Sequence, residues 1–383
     1  MGRIVGKIPL TSMINLKDTL KGGQSFRFRF SDGEKKYCGV AKGILFGVSE
    51  PSTSNELEYQ VYGLTKERWD YFSESNLLRT SYGFCNFFQR FLGEYLGIEK
   101  NAHSLQDSIT EFSKNISMHS PQAFQVKVLA QERFETLIAF ITSANNNIER
   151  ITKLVSKFSE EFGEEIYPIE IDNKEELQII EKISPDFSNE HLGFRHAFPT
   201  AKMVWDSSEE SAEKLEAKLR LMGYGYRAPY IAETIETLAA DPSHPFYDNY
   251  DVNEFKDYEK CVTTLQTLKG VGKKVADCIA LHGFQFGCSV PIDVHIRRIT
   301  LNEFKHQDLR GLKVDGSLTV TDYKRIGDFY RLSFGQFAGL AQQVMFVYSL
   351  HRSKNLNKPL KKAQSAKTKA KAKPRAKAKQ RKK

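Results

Sequence analysis

Lys274 stands two residues past a Gly270-Val271-Gly272 turn set between two runs with helical spacing, and Asp293 follows downstream in Pro291-Ile292-Asp293. A turn that feeds a helix aims the helix's free N–H groups, and the positive end of its dipole, at whatever approaches the turn. A lysine in that first turn, beside Lys273 and partly desolvated, is placed where its neutral amine becomes accessible. A neutral amine attacks electrophilic carbon and forms a Schiff base. The plainer role for a lysine here is a phosphate contact, which Lys273 also fills. Asp293 reads most simply as the N-cap of a helix starting at Val294. A carboxylate fixed there would also stabilise positive charge developing on a sugar, and the two readings are compatible. Cys278 lies four residues beyond Lys274, on the same helix face, as a packed thiol. His295 divides evenly between phosphate contact and core histidine.

The same stretch, Leu265 to Ile299, supplies the elements that must hold these groups. Helix, Gly-x-Gly turn and helix form a helix-hairpin-helix, in which Gly270 and Gly272 let a phosphate reach backbone N–H groups. Such a contact docks DNA without reading its sequence, and non-catalytic DNA-binding modules carry it too. Charge agrees with a local contact. Residues 353–383 hold 14 of the 56 Lys and Arg and no acidic residue, leaving 42 basic against 47 acidic residues in the rest of the chain. A mildly acidic body binds nucleic acid through a patch, not through a global field.

The organisation is α+β. Residues 1–120 read as a mixed domain, with strand-like runs at Ile44–Val48 and Tyr59–Tyr62 and an aromatic, helix-leaning segment from Tyr82 to Leu96. Gly22-Gly23 there is simplest as a turn, although it also allows close approach to the backbone. Residues 121–352 are mostly helical. Phe134, Leu137, Ile138 and Ile141 recur at helical spacing, as do Ile148, Ile151, Val155, Phe158 and Phe162. Between them Asn145-Asn146-Asn147 breaks the pattern, as a turn or as a functional element with equal weight. The acid-rich residues 163–189 are expected to be an exposed connection. Helices are expected over 208–221 and 230–238, with a turn at Gly223 and Gly225, and an apolar helix over 334–350. The Ala/Lys-rich tail, 353–383, is expected to be disordered and to serve nuclear import or phosphate contact.

Composition excludes several classes. With 40% hydrophobic and 27% charged residues the chain is neither fibrous nor low-complexity overall. No run approaches the ~18 apolar residues of a membrane span, so a soluble chain without a membrane partner is expected. Secretory and myristoylation patterns are not met. Five scattered cysteines without a CxxC pair argue against zinc or disulfides and for a reducing compartment.

The stretch Leu268-Lys269-Gly270-Val271-Gly272-Lys273-Lys274-Val275-Ala276-Asp277-Cys278, followed by Val290-Pro291-Ile292-Asp293-Val294-His295, closely resembles the eukaryotic 8-oxoguanine DNA glycosylase/AP lyases of the helix-hairpin-helix, Gly/Pro-Asp superfamily. Further segments resemble the family in the same order: Gly23-Gln24-Ser25-Phe26-Arg27, Asn145-Asn146-Asn147-Ile148, Gly225-Tyr226-Arg227-Ala228 and Ala338-Gly339-Leu340-Ala341-Gln342. The resemblance implies an N-terminal antiparallel sheet like that of the TATA-binding protein, followed by a helical helix-hairpin-helix glycosylase domain. It implies a monomer acting on double-stranded DNA that carries 8-oxoguanine opposite cytosine. Lys274 would attack C1′ of a flipped-out nucleotide, with Asp293 supporting the cationic sugar. The Gly23 carbonyl would accept N7–H, which undamaged guanine lacks, a difference of ~1–3 kcal/mol. Cys278 and Phe346 would sandwich the base and Gln342 would meet its Watson–Crick edge. Asn145, Arg150 and Arg227 would hold the orphaned cytosine, with Tyr226 as the wedge. Gly270, Gly272, Lys273 and His295 would meet the DNA backbone. No cofactor is implied for catalysis. A structural monovalent or divalent cation would sit on the carbonyls of Gln266, Leu268 and Val271. With no cysteine after Cys288, no iron–sulfur cluster is expected. The tail favours the nucleus, alongside a mitochondrial pool. Lys269, Phe28, Leu340 and Arg133 depart from the family's usual proline, tryptophan, tryptophan and proline. Two other readings share part of this pattern: an endonuclease III-like enzyme for oxidised pyrimidines, and a non-catalytic DNA-binding module.

Overall fold

The computed structural model describes residues 4–10, 12–50, 55–75, 81–98, 125–171, 177–179, 193–241, 243–244, 246, 255–304 and 306–352. The basic tail and the expected domain boundary at residue 120 lie outside these residues. The N-terminal region runs β1 (Ile4–Pro9), α1 (Leu16–Lys21), β2 (Phe28–Ser31), β3 (Lys36–Ala41), β4 (Ile44–Ser49), β5 (Glu56–Thr65), α2 (Lys66–Glu74) and α3 (Ser81–Leu96). Every strand pairing is antiparallel, in the order β2-β3-β4-β5. The two strand-like runs of the sequence are β4 and β5, and the aromatic segment is α3.

β5 organises this sheet. One of its edges takes β4, and the other takes β1 against residues 56–61 and then β6 (Ile166–Ile171) against residues 63–65. For the described residues 163–171 and 177–179 this corrects the expectation of an exposed connection over 163–189. Ile166 is fully buried, and β6 in turn pairs with β7 (Leu177–Ile179). Acidic neighbours hid a strand that alternates Ile166, Pro168 and Glu170 with Tyr167, Ile169 and Ile171 and gains its stability from an existing edge. Helix α3 lies over the sheet. Phe46 meets the rings of Phe88, Phe91 and Tyr95 at 5.4, 6.1 and 6.3 Å, with Phe28 at 5.7 Å.

The helical part adds α4 (Arg133–Ser143), α5 (Ile148–Phe162), α6 (Ala201–Ser207), α7 (Ala212–Met222), α8 (Ala228–Ala240), α9 (Tyr258–Leu265), α10 (Lys273–His282), α11 (Val294–Glu303), α12 (Val320–Phe334) and α13 over 338–352. The helix expected over 208–221 starts four residues later than expected, as α7 at Ala212. Ser208 closes α6, and the Ser211 hydroxyl caps α7 by accepting the Lys214 N–H. Gly223, at φ +99°, ends α7 in the left-handed conformation that glycine tolerates. Likewise Phe334 ends α12, and a 3-10 turn at Gly335–Phe337 re-aims the chain before α13.

Two apolar cores result. One gathers α4, α5, α8, α9 and α10 around Phe158, Tyr224, Ile231, Leu265 and Ile279. The other packs the segment after α10 against α11, α12 and α13, through Ile292, Ile296, Ile326, Tyr330 and Met345. Helix α10 belongs to the first core, Asp293 borders the second, and Gly23 comes from the sheet region. Phe46 is 0% exposed. Phe46→Ala should therefore cost about 3–5 kcal/mol in denaturant unfolding, through lost burial and the cavity left among four rings.

Candidate active site

The hairpin is built as its glycines require. Gly270 sits at φ +76°, and an added Cβ would lie 3.0 Å from Tyr230 Cβ and 3.2 Å from Ile141 Cγ2. Conformation and space therefore both demand glycine. Thr234 Oγ1 donates to the Lys269 carbonyl at 2.9 Å, pinning the turn to α8. Gly272 is the N-cap of α10 with no side chain in the cap, and an added Cβ there would meet nothing within 4 Å. The α10 N-terminus is thus open above Lys273 and Lys274, as an anion site needs.

Lys274, Cys278 and His282 recur every fourth residue along one face of α10 and line a cleft with about 340 Å³ of empty space, part of it open to solvent. Phe140 of α4 faces them. The Lys274 ammonium lies 5.2 Å from the centre of its ring, and His282 stacks on it at 5.6 Å. The opposite wall comes from Pro291, Asp293, Gln342 and Phe346, and Gly23 closes the cleft from the N-terminal region. The proposed chemical pair and all four proposed base-binding residues therefore meet in one place. Asp293 is the N-cap that the sequence predicts. Its Oδ1 accepts the N–H groups of His295 and Ile296 at 2.9 and 2.8 Å, leaving Oδ2 outside the cap.

Gly23 is fixed from both sides. At φ +86°, with Phe346 Cε1 3.0 Å from where a Cβ would stand, it excludes a side chain. The Gln24 amide donates to the carbonyls of Thr19 and Lys127, both at 2.8 Å, and its oxygen accepts the Leu129 N–H. Gln343 donates to the Gly22 carbonyl at 3.3 Å. The Gln342 Oε1 is buried with no partner, an acceptor ready for a donor in the cleft.

The asparagine triplet divides its labour. Asn147 caps α5 through the Arg150 N–H at 2.9 Å, and the Asn146 amide donates to the Thr142 carbonyl at 3.1 Å. Asn145 is exposed at φ +46°. Arg227, 2% exposed, donates to the carbonyls of Ala144 and Asn145, and Tyr226 donates to Ala144 as well. Arg227 therefore holds the turn that displays Asn145, whereas Tyr226 and Arg150 stay at the surface. His295 is exposed, its ring edge-on to Phe346 at 6.3 Å.

The cleft's electrostatics follow from burial. Burial pushes the Cys278 thiol up to about 11 against the pull of Lys274, so it is a neutral packing surface. Burial, reinforced by Lys274, pushes the His282 imidazole down to about 3. His282 and Phe140 are cleft residues that the motif reading missed. The spacing of His282 from Cys278 was the available signal, whereas Phe140 is indistinguishable in sequence from a core aromatic.

Residues 7–137 match the family model for the 8-oxoguanine DNA glycosylase N-terminal domain. Along most of its length the chain is similar to the N-glycosylase/DNA lyase of Saccharomyces cerevisiae, with 30% identity over 363 residues, 89% of this chain and 85% of that protein. It is 31% identical to the N-glycosylase/DNA lyase OGG1 of Arabidopsis thaliana, covering 90% of this chain and 79% of that one. The chain belongs to the 8-oxoguanine DNA glycosylase/AP lyase family. Its fold is that of the Clostridium acetobutylicum 8-oxoguanine glycosylase/lyase, whose structure is a complex with dsDNA containing cytosine opposite 8-oxoG, at TM-score 0.61 and 22% identity over 89% of this chain and 93% of that one. Glycosylases of this family need no cofactor for catalysis. Departures from the family pattern are absorbed locally. Lys269 pairs with Glu233 at 3.4 Å, and Arg133 covers the Phe284 ring at 4.6 Å.

His282 gives the cleft a pH signature. The unfolded imidazole takes a proton near pH 6.5, whereas the folded one resists until about 3. Stability is therefore full above 6.5 and is lost as pH falls through this window, by about 2 kcal/mol at pH 5. His282→Met should flatten the fall in melting temperature between pH 7 and pH 5, measured against wild type by calorimetry.

Proposed function

We propose that this chain excises 8-oxoguanine paired with cytosine in duplex DNA and then nicks the strand, with Lys274 as nucleophile and Asp293 as its charge partner. The observation that carries this reading is the cleft, where one helix face presents Lys274 and Cys278 opposite Asp293, Gln342 and Phe346. The Lys274 amine, once deprotonated, attacks C1′ as the bond from C1′ to N9 breaks, and the base leaves with the electron pair and takes up a proton. Ring opening gives an iminium. Loss of a C2′ proton then expels the 3′ phosphate by β-elimination. Asp293 Oδ2 lies outside the cap and supports the cationic sugar. The Gly23 carbonyl selects N7–H, and Gln342 Oε1, buried and unpartnered, accepts from the base's Watson–Crick edge. Asn145 meets the orphaned cytosine, with Arg227 bracing its turn and Arg150 beside it, while Tyr226 fills the gap in the stack.

Gly270, Gly272, Lys273 and His295 bind the backbone around the flipped nucleotide. The carbonyls of Gln266, Leu268 and Val271 would hold a structural cation at the hairpin. The Leu268 carbonyl accepts the Val271 N–H at 3.2 Å and keeps a second lone pair. The cation would brace the turn and takes no part in the chemistry. The tail's uniform positive charge supports nuclear residence.

The test is base release from duplexes carrying 8-oxoguanine opposite cytosine or an oxidised pyrimidine. Wild type should release 8-oxoguanine with strong preference, and Lys274→Gln should lose at least ~10³-fold in rate while still binding the duplex. Equal release of the oxidised pyrimidine would reassign the substrate, and an active Lys274→Gln would reassign the nucleophile.

A further inference from the structure

Behind the cleft lies a buried carboxylate that the proposed chemistry does not use. Asp277, 1% exposed, projects from α10 next to Cys278 and accepts three hydroxyls: Tyr258 on Oδ1 at 2.6 Å, Ser289 on Oδ1 at 3.0 Å and Tyr323 on Oδ2 at 2.5 Å. A buried carboxylate is costly unless its lone pairs are filled, and here three neutral donors fill them. Two of these donors tie a second element to the same carboxylate. The Ser289 hydroxyl also reaches the Asp277 carbonyl at 2.8 Å, and the Tyr323 hydroxyl accepts the Ile292 N–H at 3.2 Å. The segment from Ser289 to Asp293 is thus fastened at both ends to the helix that carries Lys274. The Tyr258 hydroxyl bonds the carboxylate without a bond to this segment. Lys273, at 5.2 Å from the Tyr323 ring, covers the outer side of this tyrosine.

We propose that Tyr323 is a positioning residue for the reaction. Through Asp277 and the Ile292 N–H it fixes the spacing between Lys274 on one element and Asp293 on the other. This rests on the assignment of Lys274 and Asp293 as the reacting pair. Neither Asp277 nor Tyr323 meets the substrate. Their hydrogen bonds set a register across the junction of the two apolar cores, where apolar packing alone would let the segment slide. Misplacing a reacting group by a fraction of an ångström lowers the chemical rate without weakening binding.

Three substitutions separate positioning from support. Tyr323→Phe keeps the ring under Lys273 but removes the hydroxyl that bonds Asp277, the Ile292 N–H and the Val290 carbonyl. Ser289→Ala removes the segment's other tie. Tyr258→Phe removes an equivalent donor from the same carboxylate but leaves the segment alone. Single-turnover release of 8-oxoguanine, normalised to the active fraction by titration, is compared with affinity for a duplex carrying a stable abasic-site analogue. Tyr323→Phe should slow release about 10-fold or more and Ser289→Ala by less, both with unchanged affinity, whereas Tyr258→Phe should match wild type. If Tyr323→Phe and Ser289→Ala both behave as Tyr258→Phe does, or if their loss lies in affinity, the positioning role is overturned. A wild type that releases no 8-oxoguanine overturns the substrate assignment, and this inference with it.

Discussion

Everything at this site depends on the packing of helix Lys273–His282. From Val275 to His282 every residue is buried, yet the first turn must stay open to a large anionic partner. The Gly270 turn resolves the conflict. Its close approach to Tyr230 and Ile141 sinks the hairpin into the first core, and the uncapped Gly272 leaves the N–H groups of the first turn free. Rigid burial behind and an open N-terminus in front give a lysine whose position is fixed although its head group is only partly covered.

The rest of the molecule brings other elements to that helix. The second core delivers Asp293 and Phe346, and the sheet region delivers Gly23. Polar networks set the joints between these units. Gln24 and Gln343 hold the Gly22-Gly23 backbone, Arg227 braces the Asn145 turn, and Asp277 fastens the Asp293 segment. Apolar surface makes the units adhere, and directional bonds at their edges decide their register.

Much of this was legible in the chain. The Gly270-Val271-Gly272 spacing marked the hairpin, Asp293 the cap of the helix from Val294, and the β-leaning run at Ile44–Val48 a strand. The strand at Ile166–Ile171 was not legible, because its stability comes from the free edge of a strand about a hundred residues earlier. The family resemblance assigned Arg227 to the orphaned cytosine, and the sequence does not reveal that its guanidinium also donates to the Ala144 carbonyl. His282 follows Cys278 at helical spacing, but only the fold sets the Phe140 ring against it. The partners of Asp277 come from three separate elements, and no local pattern announces them.

The most direct measurement is peptide mapping of the covalent adduct formed when the protein acts on an 8-oxoguanine duplex in the presence of borohydride. Reduction should leave a sugar remnant on the side chain of Lys274 alone. A remnant on Lys273 or on any other residue, or the absence of an adduct from protein that releases the base, would contradict the role assigned to Lys274.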